Sequence, residues 1–131
     1  MDGIGLKPMA ESDVIITDAR DLDPEEGDML KNSDLIHYTD VDTLLTAQLP
    51  EKPVYIHFDT DVVDIDEMPG MNYPAPDGPT LDQSAATLRR VAQDGVIAGI
   101  LFSLWDDSHE TEGQSLAGVL KLTRDFIQAN T

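Results

Sequence analysis

Two segments constrain this chain more than any other. Residues 53–58 (PVYIHF) and 96–104 (VIAGILFSL) are apolar at almost every position. Successive side chains of a strand point to opposite faces, so a strand that is apolar throughout has to be buried on both. Two shorter β-branched or apolar runs, at residues 14–17 and 35–38, read as further strands, and helical patterns separate the four. The alternation predicts an α/β chain with a three-layer α/β/α architecture and a mainly parallel sheet. In such sheets ligands bind beyond the carboxyl ends of the strands.

The helix signals are explicit. Asp23 stands as N-cap, Pro24 at the first helical position and Glu26 at the third, which predicts a helix ending near Asn32. Asp40 or Asp42 is expected to cap a second helix through Leu44, Leu45 and Leu49, stopped by Pro50. Thr80 and Gln83 form a capping box for a helix with Leu81, Ala85, Leu88 and Val91 on its apolar face, closing at Gly95. The final helix carries Leu116, Val119, Leu120, Phe126 and Ile127 at helical spacing. Between them, residues 62–79 hold Pro69, Gly70, Pro74, Pro76, Gly78 and Pro79 and read as a long ordered loop, of a length that usually serves function. With 131 residues, 40% of them hydrophobic, the whole of 1–131 reads as one domain with a real core.

Charge narrows the partners. The chain has 26 Asp and Glu against 8 Lys and Arg, a formal net charge of -18. It would repel phosphate backbones and anionic membranes, so nucleic acid and membrane surfaces are not expected, and a cationic small-molecule substrate is. Acid spread over the surface for solubility fits the composition equally well. Cysteine is absent, which removes thiolate metal sites and a Cys nucleophile. Neither a charged amino-terminal region followed by an apolar stretch nor a run of about 18 apolar residues occurs, so a cytoplasmic location is the expectation.

The apolar third strand runs into acid, with Asp59, Asp61, Asp64, Asp66 and Glu67 inside nine residues. If the strand persists through Asp61, Asp59 and Asp61 point the same way with Thr60 opposite, and two carboxylates so placed can hold one divalent ion or bridge two. The plainer reading is a pair of residues solvating a strand end. A calcium loop of the EF-hand type is excluded, because Val63, Asp64 and Gly70 occupy the positions that need a ligand, a glycine and a glutamate.

The run His57-Phe58-Asp59-Thr60-Asp61-Val62-Val63-Asp64, followed by Pro69-Gly70, Pro74, Gly78 and Thr80, resembles the late signature of the arginase and agmatinase (ureohydrolase) family. Arg20-Asp21-Leu22-Asp23-Pro24-Glu25-Glu26 is similar to an earlier motif of the same family, in the same order. The resemblance implies an arginase-like sandwich, incomplete here, that hydrolyses a guanidino or amidine compound at a binuclear Mn2+ centre. It implies Asp59 and Asp61 as metal ligands and Asp23, with Glu26 nearby, as substrate-binding residues. Asp23 and Glu26 also have a complete explanation as a helix-capping pair. His57 shares the strand face of the two aspartates and is the candidate catalytic proton carrier, against a buried histidine hydrogen-bonded in the core. His109 reads as an exposed loop residue and Trp105 as packing at a strand end.

The chain departs from the family in definite ways. The other metal ligands of the family come from G-G-D-H and D-A-H-x-D segments, and neither occurs here, where the histidines are His37, His57 and His109. Ser103 stands where the family places a guanidinium-holding glutamate. The strand bearing D-A-H-x-D lies, in the family, between the strands matching 14–17 and 54–58. Without it the sheet is expected to carry a gap or to pair differently, through a second copy or the missing amino-terminal half. The fragment alone is expected to be inactive, and a degenerate, non-catalytic acidic binding or oligomerisation module is the alternative.

Overall fold

Both capping boxes form. In the computed structural model, which describes residues 7–73, 75–110 and 112–131, the Asp23 carboxylate accepts from the Glu25 and Glu26 amides at 3.0 Å, and Glu26 accepts from the Asp23 amide at 3.1 Å. Thr80 Oγ1 likewise accepts from the Gln83 amide, while the Gln83 side chain accepts from the Thr80 amide. Each box satisfies donors that the first helical turn leaves open.

The chain forms two compact units, Met1–Asp40 and Val41–Thr131. In the first, strand β1 (Ile15–Thr17) pairs in parallel with β2 (Ile36–Tyr38), Ile15 opposite Ile36, and helix α1 (Pro24–Lys31) forms the crossover. The chain leaves β1 through Asp18 and Asp21, whose φ values of 51° and 53° lie in the left-handed region. Aspartate tolerates that region because its short carboxylate can bond the local backbone. Asp18 also meets the Arg20 guanidinium at 3.6 Å.

In the second unit β3 (Val54–Asp59) pairs in parallel with β4 (Ile97–Ser103), with Phe58 opposite Phe102 and Asp59 opposite Ser103. Helices α2 (Leu81–Asp94) and α3 (Gln114–Ala129) complete it. Ile56, Phe58, Ile100 and Phe102 share one sheet face and pack into the core with Met68, Ala85, Leu88, Leu122 and Phe126. The Phe58 and Phe102 rings meet at 5.5 Å, tilted by 55°. The other face carries Tyr55, His57 and Leu101, and all three are exposed. The expected burial of both faces is therefore met on one side only within this unit.

Among the described residues, β1 pairs with β2 and β3 with β4, as two separate two-stranded parallel sheets. The α/β class and the parallel pairing are as the sequence predicts.

Two helical expectations are corrected. The helix expected from Asp40 or Asp42 to Leu49 is one 3-10 turn, Val41–Leu45. Val41, Asp42, Thr43 and Thr46 are poor helix formers and Pro50 limits the length, so the nucleus is not repaid by propagation. Helix α3 forms, and of its predicted face Phe126 is buried and Val119 packs against the core, but Leu116, Leu120 and Ile127 are exposed while Ser115, Gly118 and Leu122 are buried instead. The small residues decide this. Met68 lies 3.0 Å from where a Gly118 Cβ would be, so the helix seats its smallest side chains against the loop.

Candidate functional site

The carboxyl end of β3 is built from a buried anchor and two flanking acids. Strand pairing ends at Asp59, and Thr60–Val62 forms a 3-10 turn, so the strand does not persist through Asp61. Thr60 is buried, and its hydroxyl donates to the Ser103 carbonyl at 2.8 Å, which pins the turn to β4. Asp59 and Asp61, both half-buried, flank this anchor.

Asp59 is the informative residue. Its Oδ1 is shielded from solvent and has no hydrogen-bond partner. A buried carboxylate oxygen without a partner carries a desolvation penalty that native structures rarely leave uncompensated. A cation is the ligand whose chemistry offsets it. Among the described residues no group of three or more His, Cys, Asp or Glu is placed to hold a metal ion.

His57 is not the buried core histidine of the plainer reading. It is exposed, on the open face of β3, and its Nε2 lies 2.7 Å from Ser103 Oγ in a hydrogen bond whose donor depends on the ring tautomer. The pairing follows from register: Ser103 lies opposite Asp59, two residues on from His57 along the same face. Asp23 and Glu26 lie in the first unit, exposed, with their carboxylates engaged in the capping box.

The remaining acids of the run shape the loop. Asp64 Oδ1 accepts from the Asp66 amide at 2.8 Å, and Glu67 accepts from the Leu81 amide at 2.8 Å, capping the start of α2. Pro74, in the matching loop motif, lies outside the described residues.

A second layer of the loops escapes sequence reasoning. Glu110 accepts from the amides of Ser115 and Leu116, at 3.0 and 2.9 Å, and from the Trp105 indole at 3.0 Å, so one carboxylate caps α3 and holds Trp105. Ser115 Oγ in turn accepts from the Gly70 amide at 2.7 Å, and Gly70 accepts from the Asp106 amide. Trp105 bridges Met71 in antiparallel fashion. The preceding Leu104 sits at φ 61°, an unusual conformation for a leucine that turns the chain sharply out of β4. Only the i, i+5 spacing of Trp105 and Glu110 hinted at this network, and that spacing has no standard meaning.

Asp106 is the most perturbed acid beside the site. The Ser108 hydroxyl and amide and the Asn72 amide donate to it, with exposed His109 at 3.5 Å, and together they hold its pKa at about 2 instead of 3.8. A depressed folded-state pKa stabilises the loop above pH 3.8 and loses that contribution as pH falls toward 2. Trp105 fluorescence of the protein should therefore report loosening between about pH 4 and pH 2. In Asp106→Asn that limb should be flat, and an unchanged limb would remove Asp106 as its cause.

The description "Arginase family" belongs to the family model that matches residues 6–101. No curated protein matches the chain. Among solved structures, the fold is similar to the arginase of Bacillus subtilis, with TM-score 0.79 and 19% identity over 89% of this chain and 45% of that one. It is also similar to the arginase of Bacillus caldovelox, with TM-score 0.80 and 16% identity over 90% and 44%. The proclavaminate amidino hydrolase of Streptomyces clavuligerus follows, with TM-score 0.75 and 21% identity over 88% and 41%. At such identities the likeness is one of fold. The chain spans less than half the length of the solved structures it matches.

Proposed function

The chain belongs to the arginase family, and from that premise we propose that it forms the carboxyl-terminal part of a metal-dependent C–N hydrolase of the ureohydrolase type. Its substrate would be a cationic guanidino or amidine compound. Asp59 and Asp61 would hold Mn2+ together with ligands from outside this chain. When bound, the metal pair supplies a Lewis acid and an activated nucleophile. His57 would carry protons at its imidazole, with Ser103 fixing the ring. Asp23, with Glu26 beside it, would meet the cationic end of the substrate.

The observation that carries this reading is the shielded, unpartnered Oδ1 of Asp59 at the carboxyl end of a parallel strand. Two carboxylates give an incomplete shell for a binuclear centre, so this chain alone would be inactive. A second reading, a non-catalytic acidic binding or oligomerisation module, draws on the capping box, which already occupies Asp23 and Glu26.

Manganese titration by calorimetry separates the two. In the protein extended by the missing ligand segments, binding should be tight, and an Asp59→Ala, Asp61→Ala variant should weaken it by roughly 100-fold or more. Activity toward a guanidino or amidine compound should disappear with it. Indifference to both substitutions would sink the hydrolase reading and leave the binding module.

A further inference from the structure

The serine–histidine pair in the loop after β4 is not set up for proton transfer. Ser108 Oγ lies 3.2 Å from His109 Nδ1, but its hydroxyl already donates to the Asp106 carboxylate at 2.6 Å. The pair on the open sheet face is arranged differently. His57 Nε2 lies 2.7 Å from Ser103 Oγ, and in the tautomer with the ring proton on Nδ1 the hydroxyl donates to it. A hydroxyl within hydrogen-bond reach of an imidazole is the geometry of an activated nucleophile. Both residues stand on paired strands, and the Thr60 hydroxyl donates to the Ser103 carbonyl at 2.8 Å, which fixes the backbone that carries the nucleophile. The chain then turns sharply at Leu104, φ 61°. Such a strand-to-turn corner presents a serine to substrate, and the next amide can meet an acyl oxyanion.

The surroundings choose the acyl donor. Leu101, 44% exposed, lies opposite His57, and the Tyr55 ring, 62% exposed, lies over Gly99, its Cδ2 3.5 Å from where a Cβ would be. An apolar acyl chain or an aromatic ring can rest on these side chains with its carbonyl at Ser103. Asp59 opposite Ser103, on a chain of net charge -18, disfavours an anionic ester. We propose that Ser103 and His57 form a nucleophile–base pair that cleaves uncharged, apolar esters. Ser103 Oγ adds to the acyl carbon while its proton passes to His57 Nε2. The bond to the leaving oxygen breaks, that oxygen takes the proton from Nε2, and an acyl ester remains on Ser103. Water then adds to the acyl carbon, giving a proton to Nε2, and Ser103 Oγ leaves with that proton to release the carboxylic acid. The activity goes beyond the hydrolase reading, because no step in it uses a metal.

The probes are p-nitrophenyl acetate and p-nitrophenyl butyrate, mixed with the 131-residue chain in the presence of a chelator. A burst of about one equivalent of nitrophenolate is expected, with an acyl adduct that peptide mass spectrometry places on Ser103. The adduct should vanish in Ser103→Ala, persist in Ser103→Cys and form at least about 100-fold more slowly in His57→Gln. Neither side chain belongs to the buried core, so circular dichroism of these variants should match that of the parent chain. Ser108→Ala should leave the burst unchanged. The p-nitrophenyl ester of succinate should react several-fold more slowly than the butyrate, and equal rates would remove the assignment to uncharged esters. Acylation of a lysine or the amino terminus in place of Ser103, or an undiminished rate in His57→Gln, would overturn the proposal. The chelator keeps this outcome separate from the manganese titration, so each reading can fail without the other.

Discussion

Replacing Gly78 with alanine is expected to lower the melting temperature by roughly 5–10 °C, the consequence of about 2 kcal/mol of overpacking. A Cβ at this position would lie 2.6 Å from the Val62 carbonyl oxygen, 2.8 Å from the Asp64 nitrogen and 2.9 Å from the Val63 carbonyl carbon. All three are backbone atoms, so no flexible side chain can swing away. Val63 is buried, and the Asp64 amide donates to the Pro79 carbonyl at 2.9 Å, which closes the loop over the same contact. The displaced segment begins one residue after Asp61, so the substitution should also disturb the site. Gly27 is the control. In α1 a Cβ there meets nothing within 4 Å, and Gly27→Ala should stabilise the helix by about 0.5–1 kcal/mol. Thermal denaturation of both variants decides the matter, and equal, small effects would show that the loop can yield at residues 62–64.

Particular residues show where the sequence was legible. Asp23 with Glu26 and Thr80 with Gln83 carry their own geometry, because a capping box is a local hydrogen-bond pattern. The strands β3 and β4 were equally plain as continuous apolar runs, although within the second unit only one of their faces is buried. The face of helix α3 was read only in part, with Phe126 and Val119 inward, because hydrophobicity alone does not set which face is buried. Ser115 and Gly118 are buried since their small size admits Met68 and the Gly70 loop, and that preference depends on residues some fifty positions away. Glu110 was illegible for the same reason: its partners are amides and an indole, groups whose positions exist only in three dimensions. At the site, the two aspartates were read correctly as neighbours of a strand end. What the sequence could not give is that one oxygen of Asp59 is shielded and unpartnered.

The same helix supplies the largest expected loss of stability. Leu122→Ala should cost about 2–5 kcal/mol, whereas Leu120→Ala, two residues away, should stay within about 0.5 kcal/mol. Leu122 is fully buried, in the cluster with Phe58, Met68, Leu88 and Phe126, so its truncation removes apolar contacts and leaves a cavity that the surrounding helices cannot fully close. Leu120 is 60% exposed and has little burial to lose. A loss of that size is a large part of the 5–15 kcal/mol that holds an ordinary domain together, so Leu122→Ala should approach unfolding at moderate temperature. The effect should reach the site as well. Helix α3 carries Ser115, which holds Gly70, and Gly70 holds the Asp106 amide. Urea denaturation followed by circular dichroism measures the stability difference, and Trp105 fluorescence reports the loop. If the two leucine variants behave alike, the buried face of α3 is not the one carrying Ser115, Gly118, Leu122 and Phe126, and the packing of the second unit would need to be redrawn around Leu116, Leu120 and Ile127.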